Sequence, residues 1–293
     1  MVKNTALRND LLLVLVTVLA AAGWMFSKNA LHGIPPLYFL GIRFLIAGAV
    51  LGLIGAGQLR QLQGRQWLHA AGMGSLFALA LMIWILGLHH SEHVGEGAFI
   101  SSLGVVLVPV FARFVFREVL PPSTWIALPV AVAGLALLSL DKGLRLENGQ
   151  VLMLVSAAIF AFHFNLITRV VAHMPALALT AIQLTVVGVA SSLVALPFET
   201  LPQPIPTATW GWILAAALIA SSARFFLQAY AQARVSASHA AVIMVLEPVW
   251  ASLLAGWFLQ ESMSPSQLAG CGLIFAALLV NRWRAIANLI KSG

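Results

Sequence analysis

The sequence predicts an all-α membrane protein of ten transmembrane helices, arranged as two inverted five-helix repeats with both termini cytoplasmic. Three observations carry that expectation: the composition, a series of apolar runs of spanning length, and a likeness of the chain to itself. Hydrophobic residues make up 61% of the 293 and charged residues 9%, with a mean hydropathy of +0.96. A soluble domain carries roughly 25% charged residues, because water must wet its surface. A chain this poor in charge meets mostly lipid. Its 16 Lys plus Arg against 9 Asp plus Glu would suggest nucleic acid in a soluble protein; here the excess reads as orientation in a membrane. The single Cys271 rules out an internal disulfide.

A spanning helix needs about 20 mostly apolar residues. Ten windows satisfy this: 9–30, 36–57, 66–88, 95–116, 123–140, 149–171, 176–197, 208–230, 237–259 and 265–286. The first follows Lys3 and Arg8 and, over Leu11 to Ala22, mimics a secretory signal. Its apolar run continues through Phe26 and further spans follow, so it reads as a membrane helix. Pro35-Pro36 precedes the second span and Pro121-Pro122 the fifth, which Asp141-Lys142-Gly143 closes; Pro202 to Pro206 separates the seventh from the eighth. The separators are short, so no aqueous domain is expected. Trp67, Trp125, Trp210, Trp212, Trp257 and Trp283 fall near span ends, where an indole is half in lipid and half in water.

Basic residues set the orientation. With the N-terminus cytoplasmic, the inner side holds Lys3, Arg8, Arg60, Arg65, Arg113, Arg117, Arg169, Arg234, Arg282, Arg284 and Lys291, while the outer side holds Lys28, Lys142 and Arg145. Eleven against three is the bias of a protein oriented by its positive loops. Arg43 and Arg224 are left over, inside helices.

The chain also aligns with itself. At an offset of 140, Pro35 falls on Pro175, Arg43 on Gln183 and Gly48 on Gly188. At an offset of 143, Ala98-Phe-Ile falls on Ala241-Val-Ile, Glu118 on Glu261 and Pro122-Ser123 on Pro265-Ser266. The halves are 1–145 and 146–293. Five helices is an odd number, so the second half enters the membrane upside down. Inverted repeats with a site between them are a transporter architecture, because rocking one half on the other exposes the site to each side in turn.

These residues resemble the drug/metabolite transporter superfamily, specifically its EamA-type ten-helix permeases. The resemblance rests on Ile34-Pro-Pro with Gly41-Ile-Arg-Phe44, on Ala98 to Pro109 closing in Arg117-Glu118, on Gln228-Ala-Tyr-Ala-Gln232, and on Ala240 to Pro248 closing in Glu261. It implies a central cavity and, usually, an exporter of metabolites or drugs across the bacterial inner membrane, driven by an ion gradient such as a proton's or by the substrate's own gradient. His89-His90-Ser-Glu-His93 departs from what the family leads one to expect between helices three and four.

Ionisable groups within a span cost roughly 2.5–3.5 kcal/mol on insertion scales unless paired or hydrated. Glu247 and Arg224 reach similar depth and are placed to pair. With Arg43, Gln183, Gln228, His163 and Trp24 they are the candidate lining of a central substrate site. Glu247 and Arg224 would hold the two ends of a zwitterion, such as an amino-acid-like metabolite, or Glu247 would carry a coupled proton; equally, the two residues lock helices together. Pro248 and Pro109 are candidate helix breaks, since proline removes a backbone hydrogen bond. Arg43 alternatively caps a helix of the other half, Gln183, Gln228 and Gln232 alternatively bond between helices, and His163 alternatively is a satisfied core residue. Glu118 and Glu261 read as structural. Gly48 and Gly52 are spaced for close helix approach.

His89, His90, Glu92, His93 and Glu96 are dense enough to bind a divalent ion or to titrate at the outer mouth, although a solvated loop explains them too. No His-Glu-x-x-His, Gly-x-Ser-x-Gly or Lys-bearing phosphate loop occurs, so neither an enzyme nor a cofactor nor ATP coupling within the chain is expected. The expected partners are a small-molecule substrate, a coupling ion and membrane lipid, not nucleic acid. A lipid- or sugar-precursor flippase is the alternative within transport. An intramembrane enzyme and a non-transporting membrane protein are the alternatives outside it.

Overall fold

The computed structural model describes residues 2–90, 94–139, 148–259 and 264–290, and among these every regular element is helical. Asp141, Lys142, Gly143, Arg145, Glu92, His93, Glu261 and Lys291 lie outside the described residues, as do the side chains of Glu96, Trp257, Arg282, Trp283 and Arg284.

The elements are α1 (Val2–Ala30), α2 (Pro36–Ile54), the short α3 (Ala56–Arg60), α4 (Gly64–His89), α5 (Val94–Phe114), α6 (Pro122–Ser139), α7 (Asn148–Val170) and α8 (Ala176–Phe198). There follow α9 (Thr207–Ala215), a π-helical segment (Ala216–Ala223), α10 (Arg224–Gln232), α11 (Ala237–Met244), α12 (Glu247–Leu259) and α13 (Pro265–Ile290). Among the described residues, six helices are long and apolar enough to cross a membrane: Leu7–Ala30, Pro36–Ile54, Gly64–Gly87, Val151–Val170, Ala176–Phe198 and Thr207–Gln232. Four shorter apolar helices accompany them, at Ser101–Phe114, Pro122–Leu137, Ala237–Ala251 and Leu268–Ala277.

Proline and polar side chains start these helices. Pro36 is the first residue of α2, where a missing N–H costs nothing. The next two amides, of Leu37 and Tyr38, donate to the two carboxylate oxygens of Glu199 at 2.9 Å each. That carboxylate follows α8, so the start of α2 is tied to the end of a distant helix. The Ser236 hydroxyl accepts from the His239 amide and opens α11.

The most extensive pairing is α2 on α8, and small residues permit it. A Cβ on Gly48 would lie 2.7 Å from the Thr185 nitrogen, and one on Gly188 would lie 2.5 Å from the Leu45 nitrogen. Gly48 thus faces Thr185 and Gly188 faces Leu45, two close points on the same antiparallel contact. Gly52 meets only the tip of Leu59 at 4.0 Å. The second pairing, α6 on α13, closes at Gly134, where a Cβ would lie 2.9 Å from the Gly270 carbonyl oxygen.

Two further groups of helices complete the bundle. α7 packs on α4 and α5, while α1 packs on the α9–α10 stretch and on α11 and α12. Hydrogen bonds fix the first group: Ser156 donates to the Ala80 carbonyl at 2.7 Å, and Asn165 to that of Val108 at 2.9 Å. Trp67, Trp125, Trp210 and Trp212 are exposed near helix ends, and Arg169 pairs with Glu118 at 2.7 Å beyond α5.

Candidate binding cavity

Between these groups lies a cavity of about 190 Å³. All seven residues singled out from the sequence line it: Trp24 from α1, Arg43 from α2, His163 from α7, Gln183 from α8, Arg224 and Gln228 from α10, and Glu247 from α12. Each stands alone in the sequence as a polar or indole group in an apolar run, and the packing turns all of them toward one space.

Two departures from regular α-helix shape the wall. The chain turns at Val245-Leu246, and α12 starts at Glu247 with Pro248 in its first turn, where proline is tolerated. Pro248 cannot donate to Met244, so that carbonyl, on a cavity-lining residue, loses its usual helical partner. The second departure is the π segment immediately before Arg224, a local widening often found at functional sites. Its Ala220 carbonyl accepts from Arg43 at 3.4 Å, and Ser222 donates to the Ala217 carbonyl at 2.9 Å. Pro109 does not interrupt its helix: α5 runs through it from Val94 to Phe114. Neither Pro109 nor Pro248 lines the cavity, although their neighbours Val108 and Glu247 do.

The charged groups are held differently. One Glu247 carboxylate oxygen accepts from the Trp24 indole N–H at 3.0 Å, and the other lies 3.7 Å from Arg224 Nη2. Arg224 also lies over the Phe225 ring, 4.2 Å from its centroid. Arg43 donates to Ser221 Oγ at 2.7 Å and Ser27 Oγ at 3.0 Å, and its guanidinium faces the Phe39 and Phe44 rings at 5.6 and 5.1 Å. Ser27 in turn donates to the Gly23 carbonyl at 2.6 Å. Gly23 sits where a Cβ would come within 2.8 Å of Ala220, so α1 and the π segment close together around Arg43.

The amide and imidazole groups divide. Gln228 donates to Gln232, which reaches across to Thr168 at 3.2 Å, so that pair does link α10 to α7. His163 stacks on Phe77 with centroids 4.6 Å apart. The cavity also uses Trp84, Phe77, Phe160, Phe225, Ser27, Ser101 and Thr180, which the sequence did not distinguish from ordinary apolar or small residues. Trp84 meets Trp24 edge-on at 4.9 Å. Of the histidine-rich stretch, His89 and His90 are exposed, and no group of three or more metal-ligating side chains occurs among the described residues.

Apolar helices of spanning length around a cavity that holds a few polar groups mark a multi-pass membrane protein. The chain belongs to the EamA-like transporter family, whose model matches it twice, over residues 7–140 and 147–283. An Archaeoglobus fulgidus protein named as an uncharacterized transporter is 28% identical over 271 residues, which is 92% of this chain and 84% of that one. A Bacillus subtilis protein, the uncharacterized transporter YwfM, is 28% identical over 254 residues, covering 84% and 83% of the two chains. A solved crystal structure superposes with a TM-score of 0.80 over 95% of this chain and 98% of the other, at 19% identity. That last likeness is one of fold.

Proposed function

We propose that the chain is a secondary transporter of small metabolites working by alternating access, with the cavity as its central site. The single observation that carries this is the convergence of Arg43, Arg224, Glu247, Gln183, Gln228 and His163, from both halves of the chain, on one cavity among apolar helices.

The two halves, 1–145 and 146–293, act as inverted five-helix repeats in this reading, giving ten spans with both ends in the cytoplasm. Six long and four shorter apolar helices supply the ten. The mirrored packing supports the symmetry: α2 pairs with α8 and α6 with α13, each helix with its own counterpart, while α1 and α7 play equivalent parts. The double family match supports it independently. At the sequence offsets, Gln183 is the counterpart of Arg43 and Gly104 that of Glu247, and all four line the cavity. A cavity walled by equivalent segments of two inverted units opens to opposite sides as the units rock.

The excess of Lys and Arg in alternate loops orients the chain in a cytoplasmic membrane. The energy comes from an ion or substrate gradient, since no phosphate-cradling motif is present, and the direction that the family resemblance implies is outward.

The test is thermal unfolding of the purified chain against amino acids, amines, carboxylates and nucleosides, with Ser101→Phe as a cavity-filling control. A ligand at 100 times its dissociation constant stabilises by about 2.7 kcal/mol if it binds only the folded state. One class is expected to stabilise the wild type and to lose its effect in Ser101→Phe. A shift that survives the filling places the site elsewhere. No shift with any class turns the reading toward a lipid substrate and a flippase.

A further inference from the structure

The cavity is unevenly charged. Among the described residues that line it, Arg43 and Arg224 are permanent cations and Glu247 is the anion. Glu247 is engaged on both oxygens, by Trp24 and Arg224. Arg43 has only neutral acceptors, the two serine hydroxyls and the Ala220 carbonyl. One positive charge therefore remains uncompensated inside an apolar helix bundle, where a lone charge is costly and usually marks a ligand path.

The unused hydrogen-bonding groups lean the same way. Five polar atoms on cavity-lining residues are buried without a partner: Arg224 Nε, Gln183 Nε2, His163 Nε2, Ser101 Oγ and Gln228 Oε1. His163, Gln183 and Gln228 are themselves 6%, 2% and 7% exposed. The Arg and Gln nitrogens only donate, the hydroxyl and the imidazole nitrogen serve either way, and the Gln228 oxygen only accepts. Four of the five can donate, so the balance among them favours a ligand rich in acceptors. Native proteins seldom leave such groups idle, and a bound ligand is a standard resolution.

Size and lining limit the rest of the ligand. An apolar cavity of about 150 Å³ holds benzene, so about 190 Å³ takes one ring and a small substituent. Trp24, Trp84, Phe77, Phe160 and Phe225 supply the flat apolar walls.

We propose that the cavity binds a small organic monocarboxylate with an apolar body about one ring in size, its carboxylate neutralising the excess charge that Arg43 brings. The proposal rests on the reading of this cavity as the substrate site, and it refines that reading by naming the class. A zwitterion fits less well: it carries no net charge, so the excess that Arg43 brings would remain, and the Glu247 carboxylate is already engaged by Trp24 and Arg224.

Calorimetric titration of the purified full chain with benzoate, benzamide, benzylamine, phenylalanine and acetate tests it. Benzoate is expected to bind on the order of tenfold or more tighter than its neutral isostere benzamide, which is the scale of a charge-assisted hydrogen bond. Acetate is expected to bind more weakly than benzoate. Arg43→Gln should erase the preference for benzoate over benzamide, and Arg43→Lys should retain most of it. The comparison among ligands on the wild type stands even if Arg43→Gln does not fold. Benzylamine or phenylalanine binding more tightly than benzoate, with the binding lost in Ser101→Phe, overturns the anion while leaving the cavity as the site. Benzamide or acetate matching benzoate overturns it too, the first on charge and the second on the apolar body. Failure of all five to bind overturns it as well, and the broader ligand panel then decides whether the cavity is a site at all.

Discussion

Glu247 and Arg224, the first residues of α12 and α10, face each other at 3.7 Å, and the same carboxylate holds the Trp24 indole of α1 at 3.0 Å. Their side chains are 23% and 19% exposed. Removing one partner of a fully buried pair costs about 3–5 kcal/mol, because the other charge is stranded. With this exposure and separation, Glu247→Gln is expected to cost about 1–3 kcal/mol. Glu247→Gln with Arg224→Gln should be less destabilised than the sum of the single changes, by about 1 kcal/mol. Melting of the four proteins in one detergent checks this. Strict additivity would mean the pair does not interact.

Arg43 ties α2 to the π segment through Ser221 Oγ at 2.7 Å. Ser221→Ala strands a guanidinium donor and is expected to cost about 1–3 kcal/mol. Ser75→Ala is the control: that hydroxyl bonds only to its own helix at 3.1 Å and is exposed, so its loss should stay within about 0.5 kcal/mol. Equal effects of the two, read by thermal unfolding, would deny Arg43 its anchoring contact.

Gly188 holds α8 against α2 so closely that a Cβ would lie 2.5 Å from a backbone nitrogen. Gly188→Ala must push the two helices apart and is expected to cost about 1–3 kcal/mol. Gly72→Ala, with nothing within 4 Å, should instead stabilise by about 0.5–1 kcal/mol, by removing glycine's freedom in the unfolded chain. Opposite signs in a melting comparison are the expected result.

Glu199 caps α2 with two charge-assisted bonds from the Leu37 and Tyr38 amides. Glu199→Ala leaves both amides without that partner and is expected to cost about 1–2 kcal/mol. Amide exchange in residues 37–39 should rise more than in the rest of α2. Uniform exchange along the helix would assign the cap no local role.

The sequence was most legible where the membrane makes polarity expensive. Arg43, Arg224, Glu247, Gln183 and Gln228 stood out because each interrupts an apolar run, and the structure collects them round one cavity. Phe77, Phe160, Phe225 and Trp84 did not, because lipid and a ligand both accept aromatic rings. A helix that is apolar all round carries no periodicity to tell its two faces apart. The π segment was equally hidden, since Ala216–Ala223 is alanine, leucine, isoleucine and serine, residues at home in an α-helix. Of the prolines, Pro248 follows a real turn, whereas α5 absorbs Pro109 within one continuous helix. Gly48 was legible as a contact point, but the residue it faces, Thr185 on α8, was not, and Gly52 takes no part in the approach. Glu199 carries no signal in the sequence; only the fold brings it to the start of α2.

The central claim is that the cavity opens to both sides of the membrane in turn, and two-sided thiol labelling tests it without knowledge of the substrate. With Cys271, the chain's single cysteine, replaced by serine, Ser101→Cys places one reporter in the cavity wall. A membrane-impermeant thiol reagent is then offered from each face in right-side-out and inside-out vesicles. The account predicts labelling from both faces at this one position. Labelling from one face alone would describe a fixed crevice, labelling from neither a sealed structural void, and either result would contradict it.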